Sequence, residues 1–355
     1  MKTYRIDVLA GDGIGVEVTA SAMKVLTATA SKHGFAVNYQ EHDWGSDHFF
    51  RNGRMMPVNA LDTLSGADAI LLGAVGHPDI PDHVTLHGML LPIRRGFDQY
   101  VNVRPAVLYE GVESPLKGYP PRDIDMVVIR ENTEGEYAPI GGFVHHHHPG
   151  EVAVQTSVFT RHGCERVIRY AFELARKRNK QKRVTSITKS NAQAYSMVLW
   201  DRVFLTVAND FPDIETESLL VDAAAMNFVR RPHSFDVVVA SNLFGDILSD
   251  VSAIVTGSIG LASSANLDPS RKYPSLFEPV HGSAPDIAGR GIANPLAAIL
   301  SVAAMLDHLG ETSAAAAVDH AVRTVLAAGK VRTPDLGGMS STVEVQDAVI
   351  GAVTG

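Results

Sequence analysis

Short apolar runs alternate with longer segments of helical periodicity along most of the 355-residue chain. The short runs suit buried strands, and the longer segments space their apolar residues as helices packed on one face do. This alternation predicts an α/β fold with mainly parallel strands. The predicted strands cover residues 6–10, 69–72, 126–129, 184–188, 219–221 and 236–240.

Local signals mark the ends of two helices near the C-terminus. Asn294, which precedes a proline, predicts the start of a helix over residues 296–309, and Gly310 ends it. Ser341, with Glu344 three positions later, predicts a capping box at the start of the last helix.

Composition and charge narrow the class of protein. A hydrophobic content of 45% with 20% charged residues predicts a globular chain and excludes disorder. No stretch approaches the ~18 uninterrupted apolar residues of a membrane helix, and the N-terminal segment lacks signal-peptide features, so a cytoplasmic protein without a membrane partner is expected. The single cysteine, Cys164, agrees with a reducing compartment. A net charge of −8 argues against a nucleic-acid partner.

The length of the chain suits two domains. A segment rich in proline and glycine, 105–122, predicts a domain crossing near residue 100, and a second crossing is expected near residues 257–260. The first domain would then combine residues 1–100 with 256–355, and the second would cover residues 101–255.

Asp246 and Asp250 lie four positions apart, directly after the apolar run 235–240. This spacing puts both carboxylates on one face of a helix. A divalent cation between them would remove their repulsion, whereas a solvated acidic face explains these residues equally well. The apolar residues of the same helix are expected to pack against the core: Ile247, Leu248, Val251, Ile254 and Val255.

A charged residue follows each of four strand-like stretches, and the carboxyl ends of parallel strands form the ligand crevice of an open sheet. Together with Arg94, which lies upstream, these residues are expected to converge: Arg104, Arg130, Lys189 and Asp222. Several guanidinium groups at one crevice indicate a substrate with carboxylates or phosphates. Asp222 would join Asp246 and Asp250 around Mg²⁺ or Mn²⁺, and Lys189 would act as a general base. Surface salt bridges remain the alternative for Arg130 and Lys189.

Two segments carry nucleotide-binding signals of unequal strength. In residues 11–16 the third glycine comes one place early for the dinucleotide fingerprint, so the segment predicts a tight turn before a helix over residues 16–30. The polar loop 277–289 is the stronger candidate, because its small residues let a backbone approach a ligand. Asp286 in that loop can accept hydrogen bonds from ribose hydroxyls.

Four segments resemble the decarboxylating β-hydroxyacid dehydrogenases of the isocitrate and isopropylmalate family, namely 94–104, 130–137, 242–250 and 277–289. The likeness extends over nearly the whole chain. Four shorter segments are most similar to the tartrate dehydrogenase and D-malate dehydrogenase branch of that family: 44–46, 55–57, 81–86 and 97–100. The resemblance implies an isopropylmalate-dehydrogenase-like two-domain fold, not a standard Rossmann domain. It also implies a homodimer clasped by an arm around residues 135–158.

The resemblance implies a role for each candidate by its position. Arg94, Arg104 and Arg130 would bind the carboxylate that leaves as carbon dioxide. Asp246 and Asp250 would ligate Mn²⁺ or Mg²⁺ together with Asp222 of the partner subunit. Lys189, also supplied by the partner, would assist deprotonation of the C2 hydroxyl, and Tyr137 would protonate the enol carbon. Activation by K⁺ stays open.

The resemblance also implies the nucleotide. Relatives that use NADP carry Lys and Tyr where this chain has Asp286 and Ile287, and a carboxylate there would repel a 2′-phosphate, so NAD is expected. The expected cofactor-binding residues are His281, Gly282, Ser283, Ala284, Asp286, Ile287 and Asn294.

The implied function is NAD-dependent oxidative decarboxylation of a small (2R)-hydroxydicarboxylic acid: D-malate to pyruvate and carbon dioxide, with tartrate as a further substrate. His87 departs from the branch, which has tryptophan there; an imidazole leaves more room and can hydrogen-bond the substrate, or it is a structural histidine. Three alternatives are an isopropylmalate or isocitrate dehydrogenase, a metal-dependent lyase or hydrolase without nicotinamide, and a non-catalytic anion-binding protein.

Residues 145–148 are four consecutive histidines. Such a run suggests a metal tract, but consecutive residues on a strand point to opposite faces. We therefore expect a polar hairpin tip.

Overall fold

A sheet of ten strands runs through the molecule in the computed structural model, which describes residues 2–355. A separate two-stranded hairpin, β6 with β7, projects from it. The twelve strands are β1 (Thr3–Gly11), β2 (Ala36–Glu41), β3 (Ala69–Ala74), β4 (Val101–Val107), β5 (Asp125–Glu131), β6 (Gly141–Val144), β7 (Val152–Gln155), β8 (Arg183–Thr188), β9 (Glu215–Leu220), β10 (Val237–Ala240), β11 (Ser263–Leu267) and β12 (Ser275–Pro279).

Helices cover the sheet and connect most of its strands. They are α1 (Ile14–His33), α2 (Ser46–Asn52), α3 (Ala60–Leu64), α4 (Asp82–Thr85), α5 (Leu91–Gly96), α6 (Arg161–Arg178), α7 (Ser196–Ala208), α8 (Val221–Arg230), α9 (Asn242–Val255), α10 (Leu296–Leu309), α11 (Thr312–Ala328) and α12 (Thr342–Thr354). One π-helical turn, Leu86–Leu90, joins α4 to α5. Among residues 2–355, no helix combines the length and apolar character needed to span a membrane.

The order of the ten strands is β2-β1-β3-β12-β11-β4-β5-β10-β8-β9. The first four strands are mutually parallel, and so are the last four. Between them, β11 and β4 pair antiparallel to each other and to their outer neighbours. The expected α/β fold with a mainly parallel sheet is therefore confirmed. The two parallel groups run in opposite directions. The carboxyl ends of one group therefore lie beside the amino ends of the other, along the same side of the sheet.

The strand bounds correct the expectation that the charged residues all follow strand ends at one crevice. Lys189 does follow β8 directly, and Asp222 lies in the first turn of α8. In contrast, Arg104 and Arg130 lie within β4 and β5, because both strands continue beyond them.

The helix ends follow the local signals. Gly310 ends α10 with φ 89°, a left-handed conformation that glycine adopts without strain. Ser341 and Glu344 form the expected capping box of α12. The first helix is longer than the sequence indicated, since α1 begins at Ile14 and ends at His33.

Helix α9 has apolar residues on two faces. Leu248 and Val255 are buried in the main core, and Val251 packs against it. The prediction that Ile247 and Ile254 also face the core is wrong, because these side chains are 53% and 51% exposed. The helix therefore presents a second apolar surface to solvent.

Four buried side chains connect the central strands through hydrogen bonds; we call Asn102, Asn132, Ser264 and Asn266 the amide ladder. The Asn102 amide donates to Ser264 Oγ at 2.8 Å and to Asn266 Oδ1 at 2.9 Å. Asn132 donates to the same Asn266 oxygen at 2.9 Å, and Asn266 Nδ2 donates to Glu278 Oε1 at 2.8 Å. Each of these buried amide nitrogens finds an acceptor, whereas Oδ1 of Asn102 and of Asn132 has no hydrogen-bond partner in residues 2–355.

The hairpin of β6 and β7 is exposed along its whole length. Its tip carries residues 145–148, and the backbone of His145 and His147 is in the left-handed region. The four histidines therefore lie at a hairpin tip, as expected, within the segment predicted to form the arm.

Candidate active site

Asp246 lies in the N-terminal half of α9 and receives hydrogen bonds from three side chains. Arg104 Nη1 donates to Asp246 Oδ1 at 3.1 Å, and Arg130 Nη1 donates to the same oxygen. Tyr137 Oη donates to Asp246 Oδ2 at 2.6 Å. We call Arg104, Arg130, Tyr137 and Asp246 the Asp246 cluster.

The orientation of Arg130 is fixed by Asn242, the first residue of α9. Asn242 Oδ1 accepts from Arg130 Nε at 3.0 Å and from Nη2 at 2.8 Å. Gly245 allows the close approach of the strand and the helix, because a Cβ there would lie 2.6 Å from Arg130 Cβ. The local sequence around Asp246 thus positions the arginine that binds it.

Charge and burial set the protonation states in this cluster. Burial alone would raise the pKa of Asp246, but the Arg130 and Arg104 guanidiniums lower it to about 2. Burial lowers the pKa of Arg130 to about 10, which leaves it protonated at neutral pH. Burial and the Asp246 charge raise the pKa of Tyr137 to about 12. Asp246 is therefore an anion at neutral pH, and Tyr137 retains its proton.

Asp250 lies one turn further along α9 and is less constrained. Its Oδ1 lies 3.7 Å from Arg104 Nη1, and its side chain is 58% exposed. Burial raises its pKa above the ordinary value. No hydrogen bond to Asp250 comes from another side chain in residues 2–355, so its oxygens are accessible to a cation. Two adjacent carboxylates of this kind fit a hard divalent ion such as Mg²⁺ or Mn²⁺.

The third expected ligand, Asp222, lies elsewhere on this chain. Within residues 2–355, no three His, Cys, Asp or Glu side chains come close enough together to hold a metal ion. The expectation that strand ends bring Asp222 to Asp246 and Asp250 in one chain is therefore wrong. Its supply by a partner subunit stays a prediction.

Lys189 and Asp222 form an ion pair at the surface; we call these two residues the outer pair. Lys189 Nζ lies 2.7 Å from Asp222 Oδ1, and the Asp222 side chain is 60% exposed. The hydrogen bond from Lys189 lowers the pKa of Asp222. Among residues 2–355, no hydrogen bond or ion pair joins the outer pair to the Asp246 cluster.

A cavity of about 300 Å³ adjoins Arg104 and is also lined by Arg94, Leu86, Leu90 and His281. Arg94 is buried and donates to Glu278 Oε1 at 2.8 Å. A larger groove, about 950 Å³, lies between α1 and β2; Arg51 lines it, but Arg94 and Arg104 do not. Of these two cavities, the smaller one adjoins the Asp246 cluster, through Arg104.

His87 lies in the π-helical turn between α4 and α5. Its side chain is exposed and is not part of the cavity wall, which Leu86 and Leu90 form instead. Partial burial and the nearby Arg95 lower its pKa. A contact between His87 and a substrate stays a prediction.

The expected nucleotide loop joins β12 to α10. His281 is buried, its pKa is lowered by burial, and its Nδ1 donates to Gly282 O at 3.0 Å, which leaves its buried Nε2 without a partner in residues 2–355. Ser283 O accepts from Ile14 N at 2.8 Å, so the loop rests on the start of α1.

Two other residues of the loop bear on nucleotide binding. Asn294 donates to Asp335 Oδ2 at 2.9 Å and accepts from Leu296 N at 3.0 Å. Asp286 is exposed and makes no ion pair with any residue from 2 to 355, so its carboxylate is available to a ligand. These polar groups fit a nucleotide, although Gly282, Ala284 and Ile287 show no contact that would identify one.

Three residues of the site were missed by the sequence analysis: Asn242, Glu278 and Arg95. Asn242 and Glu278 belong to segments that were singled out, at 242–250 and 277–289, but their partners lie more than 100 positions away in sequence. Arg95 lies next to Arg94 in the sequence and carries no motif of its own. Its hydrogen bond to the Tyr137 carbonyl forms only in the folded chain.

Comparison with known proteins agrees with this arrangement. The chain is 48% identical over 356 residues to a probable tartrate dehydrogenase/decarboxylase of Agrobacterium vitis, covering 100% of this chain and 99% of that protein. It is 50% identical over 356 residues to the D-malate dehydrogenase [decarboxylating] of Escherichia coli (strain K12), covering 98% of each. Among solved structures, isocitrate dehydrogenase from Methylococcus capsulatus superposes with a TM-score of 0.89 at 37% identity, covering 99% of this chain and 100% of that one.

The sequence profile described as isocitrate/isopropylmalate dehydrogenase matches residues 5–349. Because this match spans nearly the whole chain and the relatives are 48% and 50% identical over nearly their full length, the chain belongs to the isocitrate/isopropylmalate dehydrogenase family.

Proposed function

We propose that this protein catalyses the NAD-dependent oxidative decarboxylation of a small (2R)-hydroxydicarboxylic acid, D-malate to pyruvate and carbon dioxide, and that it also accepts tartrate. The observation that carries the proposal is the Asp246 cluster beside Asp250. It combines two arginines that can bind a carboxylate, two acids that suit a divalent cation, and a protonated tyrosine. Relatives named for tartrate and D-malate support this substrate class.

The arginines bind the carboxylate that is lost. Arg104 and Arg130 both pair with Asp246, and Arg104 also lines the cavity. Arg94 lies on the cavity wall against Glu278. A guanidinium group binds a planar carboxylate through two parallel hydrogen bonds. Their positions on two strands and a helix leave little freedom, so they orient the bond that breaks.

Asp246 and Asp250, with Asp222 of the partner subunit, would hold Mn²⁺ or Mg²⁺. When bound, such a cation polarises the substrate oxygen at C2 and stabilises the negative charge that develops there. Asp246 suits this role because its low pKa keeps it ionised at neutral pH.

Proton transfer requires one base and one acid. Lys189 of the partner subunit assists removal of the C2 hydroxyl proton while the C2 hydride passes to NAD. After carbon dioxide leaves, Tyr137 donates a proton to C3, and its pKa of about 12 ensures that it holds that proton at neutral pH. The balanced reaction converts D-malate and NAD⁺ to pyruvate, carbon dioxide and NADH.

NAD occupies the loop between β12 and α10 in this proposal. Asp286 accepts hydrogen bonds from the adenosine ribose, and its charge disfavours the 2′-phosphate of NADP. The small residues Gly282, Ser283 and Ala284 let the nucleotide approach the loop backbone. His281 Nε2, which has no partner in residues 2–355, is available for a hydrogen bond, and Ile287 and Asn294 complete the site.

We propose a homodimer that completes each active site. Helices α8 and α9 pack against each other and expose an apolar face: Met226, Val229, Ile247 and Ile254. The exposed arm adds further apolar side chains, including Phe143 and Val154. A second copy on this face would bury both surfaces and supply the missing outer pair.

The test is an assay of NADH absorbance and carbon dioxide release with D-malate, NAD and Mn²⁺. L-malate is the matched stereochemical control, NADP replaces NAD in a parallel reaction, and tartrate, isopropylmalate and isocitrate complete the panel. We expect the highest kcat/KM for D-malate or tartrate. An absence of NADH with every 2-hydroxydiacid would contradict the proposal, and turnover without NAD would favour a lyase.

A further inference from the structure

Arg95 follows the cavity-lining Arg94 on α5 but points to a different part of the site. Its Nη2 donates a hydrogen bond to the main-chain carbonyl oxygen of Tyr137. The two residues are 42 positions apart in sequence. Arg94 thus faces the substrate cavity, whereas Arg95 contacts the segment that carries the tyrosine.

Arg95 is a partly buried cation with few partners, and such an environment is unfavourable for a guanidinium. Partial burial lowers its pKa, and its Nε is buried without a partner in residues 2–355. The side chain forms no salt bridge with a carboxylate in the same residues, although Glu131 lies near enough to oppose the shift. Burying a charge without a direct counter-ion is costly.

Tyr137 lies in a turn and not in a helix or strand. Its phenol is held by Asp246, and Arg130 lies over its ring at 5.2 Å from the centroid. On the main chain, Arg95 holds the Tyr137 carbonyl, and Gln155 Nε2 holds the next carbonyl, Ala138 O, at 2.8 Å. The tyrosine is therefore fixed at both ends, by Asp246 at the hydroxyl and by Arg95 at the backbone.

Glu131 fastens the beginning of the same segment. Its buried carboxylate accepts from Thr133 N at 2.8 Å and from Glu134 N at 3.0 Å. The segment from Glu131 to Tyr137 is thus fastened at its start by Glu131 and at its end by Arg95. Arg95 also links α5 to this segment, which lies beyond the predicted domain crossing near residue 100.

We propose that Arg95 is a positioning residue that holds Tyr137 at the correct place to protonate C3 after carbon dioxide leaves. The inference rests on the proposed function. It predicts that Arg95 matters for the proton transfer and not for hydride transfer or for NAD binding, because its one hydrogen bond within residues 2–355 is to the Tyr137 backbone.

The test is rapid-mixing kinetics of Arg95→Met with D-malate, NAD and Mn²⁺. Oxidation precedes the impaired step, so we expect a fast burst of about one NADH per site at the wild-type rate, followed by a steady state slowed by about 10²-fold. The KM for NAD should stay within about threefold of wild type. Arg95→Lys, which can still donate to the carbonyl, should recover part of the steady-state rate.

Two further variants separate positioning from general damage. Arg169→Met removes a guanidinium that pairs with Asp210 on the surface of α6, and it should behave as wild type. The double variant Arg95→Met/Tyr137→Phe should be no slower than Tyr137→Phe alone, because both changes act on one step.

Loss of the burst together with the steady state, or additive effects in the double variant, would overturn the inference. So would wild-type kinetics in Arg95→Met. These outcomes differ from failure of the proposed function itself, in which the unmodified enzyme forms no NADH from any 2-hydroxydiacid.

Discussion

The Asp246 cluster and the outer pair both combine acids with cations, but they differ in burial and in completeness. Asp246 is held by three donors, and its partner Arg130 is 1% exposed. Within the described residues 2–355, Asp222 has one side-chain partner, Lys189, and 60% of its side chain is exposed. The first group is assembled by the fold of one chain, whereas the second faces outward.

The difference indicates what each group is for. A buried, multiply bonded carboxylate has its pKa and geometry fixed before any ligand arrives. An exposed ion pair contributes little to stability, because water and salt screen it. The outer pair is therefore poorly explained as a stabilising feature, and a role completed by a second chain accounts better for its position.

The largest expected contrast is between Asp246→Asn and Asp222→Asn. Both should reduce turnover by about 10³-fold or more, because each would lose a metal ligand. Only Asp246→Asn should also lower the free energy of unfolding, by about 3 kcal/mol, since buried Arg130 loses its carboxylate partner and Arg104 keeps only Asp250. Urea denaturation without metal measures this difference, and equal stability losses would remove the distinction between the two groups.

The next test asks whether the two groups meet across subunits. We expect inactive Asp246→Asn and inactive Lys189→Ala chains, when co-expressed, to recover about a quarter of wild-type activity. Random pairing makes half of the dimers mixed, and each mixed dimer has one intact site of two. Purification through two different tags isolates the mixed dimers. No recovery would place Lys189 and Asp246 in the same subunit's site.

The roles of the base and the acid should differ by step. Lys189→Ala should abolish hydride transfer, by about 10²- to 10⁴-fold, with little change in NAD affinity. Tyr137→Phe should slow formation of pyruvate more than the oxidation that precedes it. Rapid-mixing kinetics and NAD titration report these quantities, and equal damage to both steps in both variants would contradict the assignment.

The smallest expected effect lies outside both groups, at His308 on α10. Burial lowers its pKa to about 4 from an ordinary value of 6.5. The unfolded chain therefore binds a proton more readily, so stability should fall as pH drops from 6.5 towards 4, by less than about 1.4 kcal/mol per pH unit. His308→Gln should flatten this slope in urea denaturation, whereas a substitution in the outer pair should not.

The sequence predicted the secondary-structure elements and the candidate site residues better than it predicted how they are arranged in space. The alternation of runs, the end of α10 and the capping box of α12 are local features, and they were correct. The joint convergence of Asp222 with Asp246 in one chain failed, because the alternation of strands and helices does not reveal the order of strands in the sheet. Strand β8 lies between β9, which precedes Asp222, and β10, which precedes Asp246.

The same limit applies to individual side chains. Ile247 and Ile254 satisfy helical periodicity, but the pattern cannot distinguish a face that packs on the core from one that is free for another chain. Arg95 and Glu278 act through partners distant in sequence, which only the folded chain brings close. The domain boundaries and the arm stay predictions.

The amide ladder has a consequence for folding. Apolar strands tolerate small shifts of pairing whenever the core face is preserved. A shift of β4 against β11 by two residues, however, would leave the buried Asn102 amide and the Ser264 hydroxyl without these partners. Glu278 accepts from both Asn266 and Arg94, so one carboxylate connects the alignment of the central strands with the orientation of the guanidinium that we propose binds the substrate. A sheet with the wrong strand register would therefore be less stable and would misplace Arg94, so the protein would bind an anion only when its strands are correctly aligned.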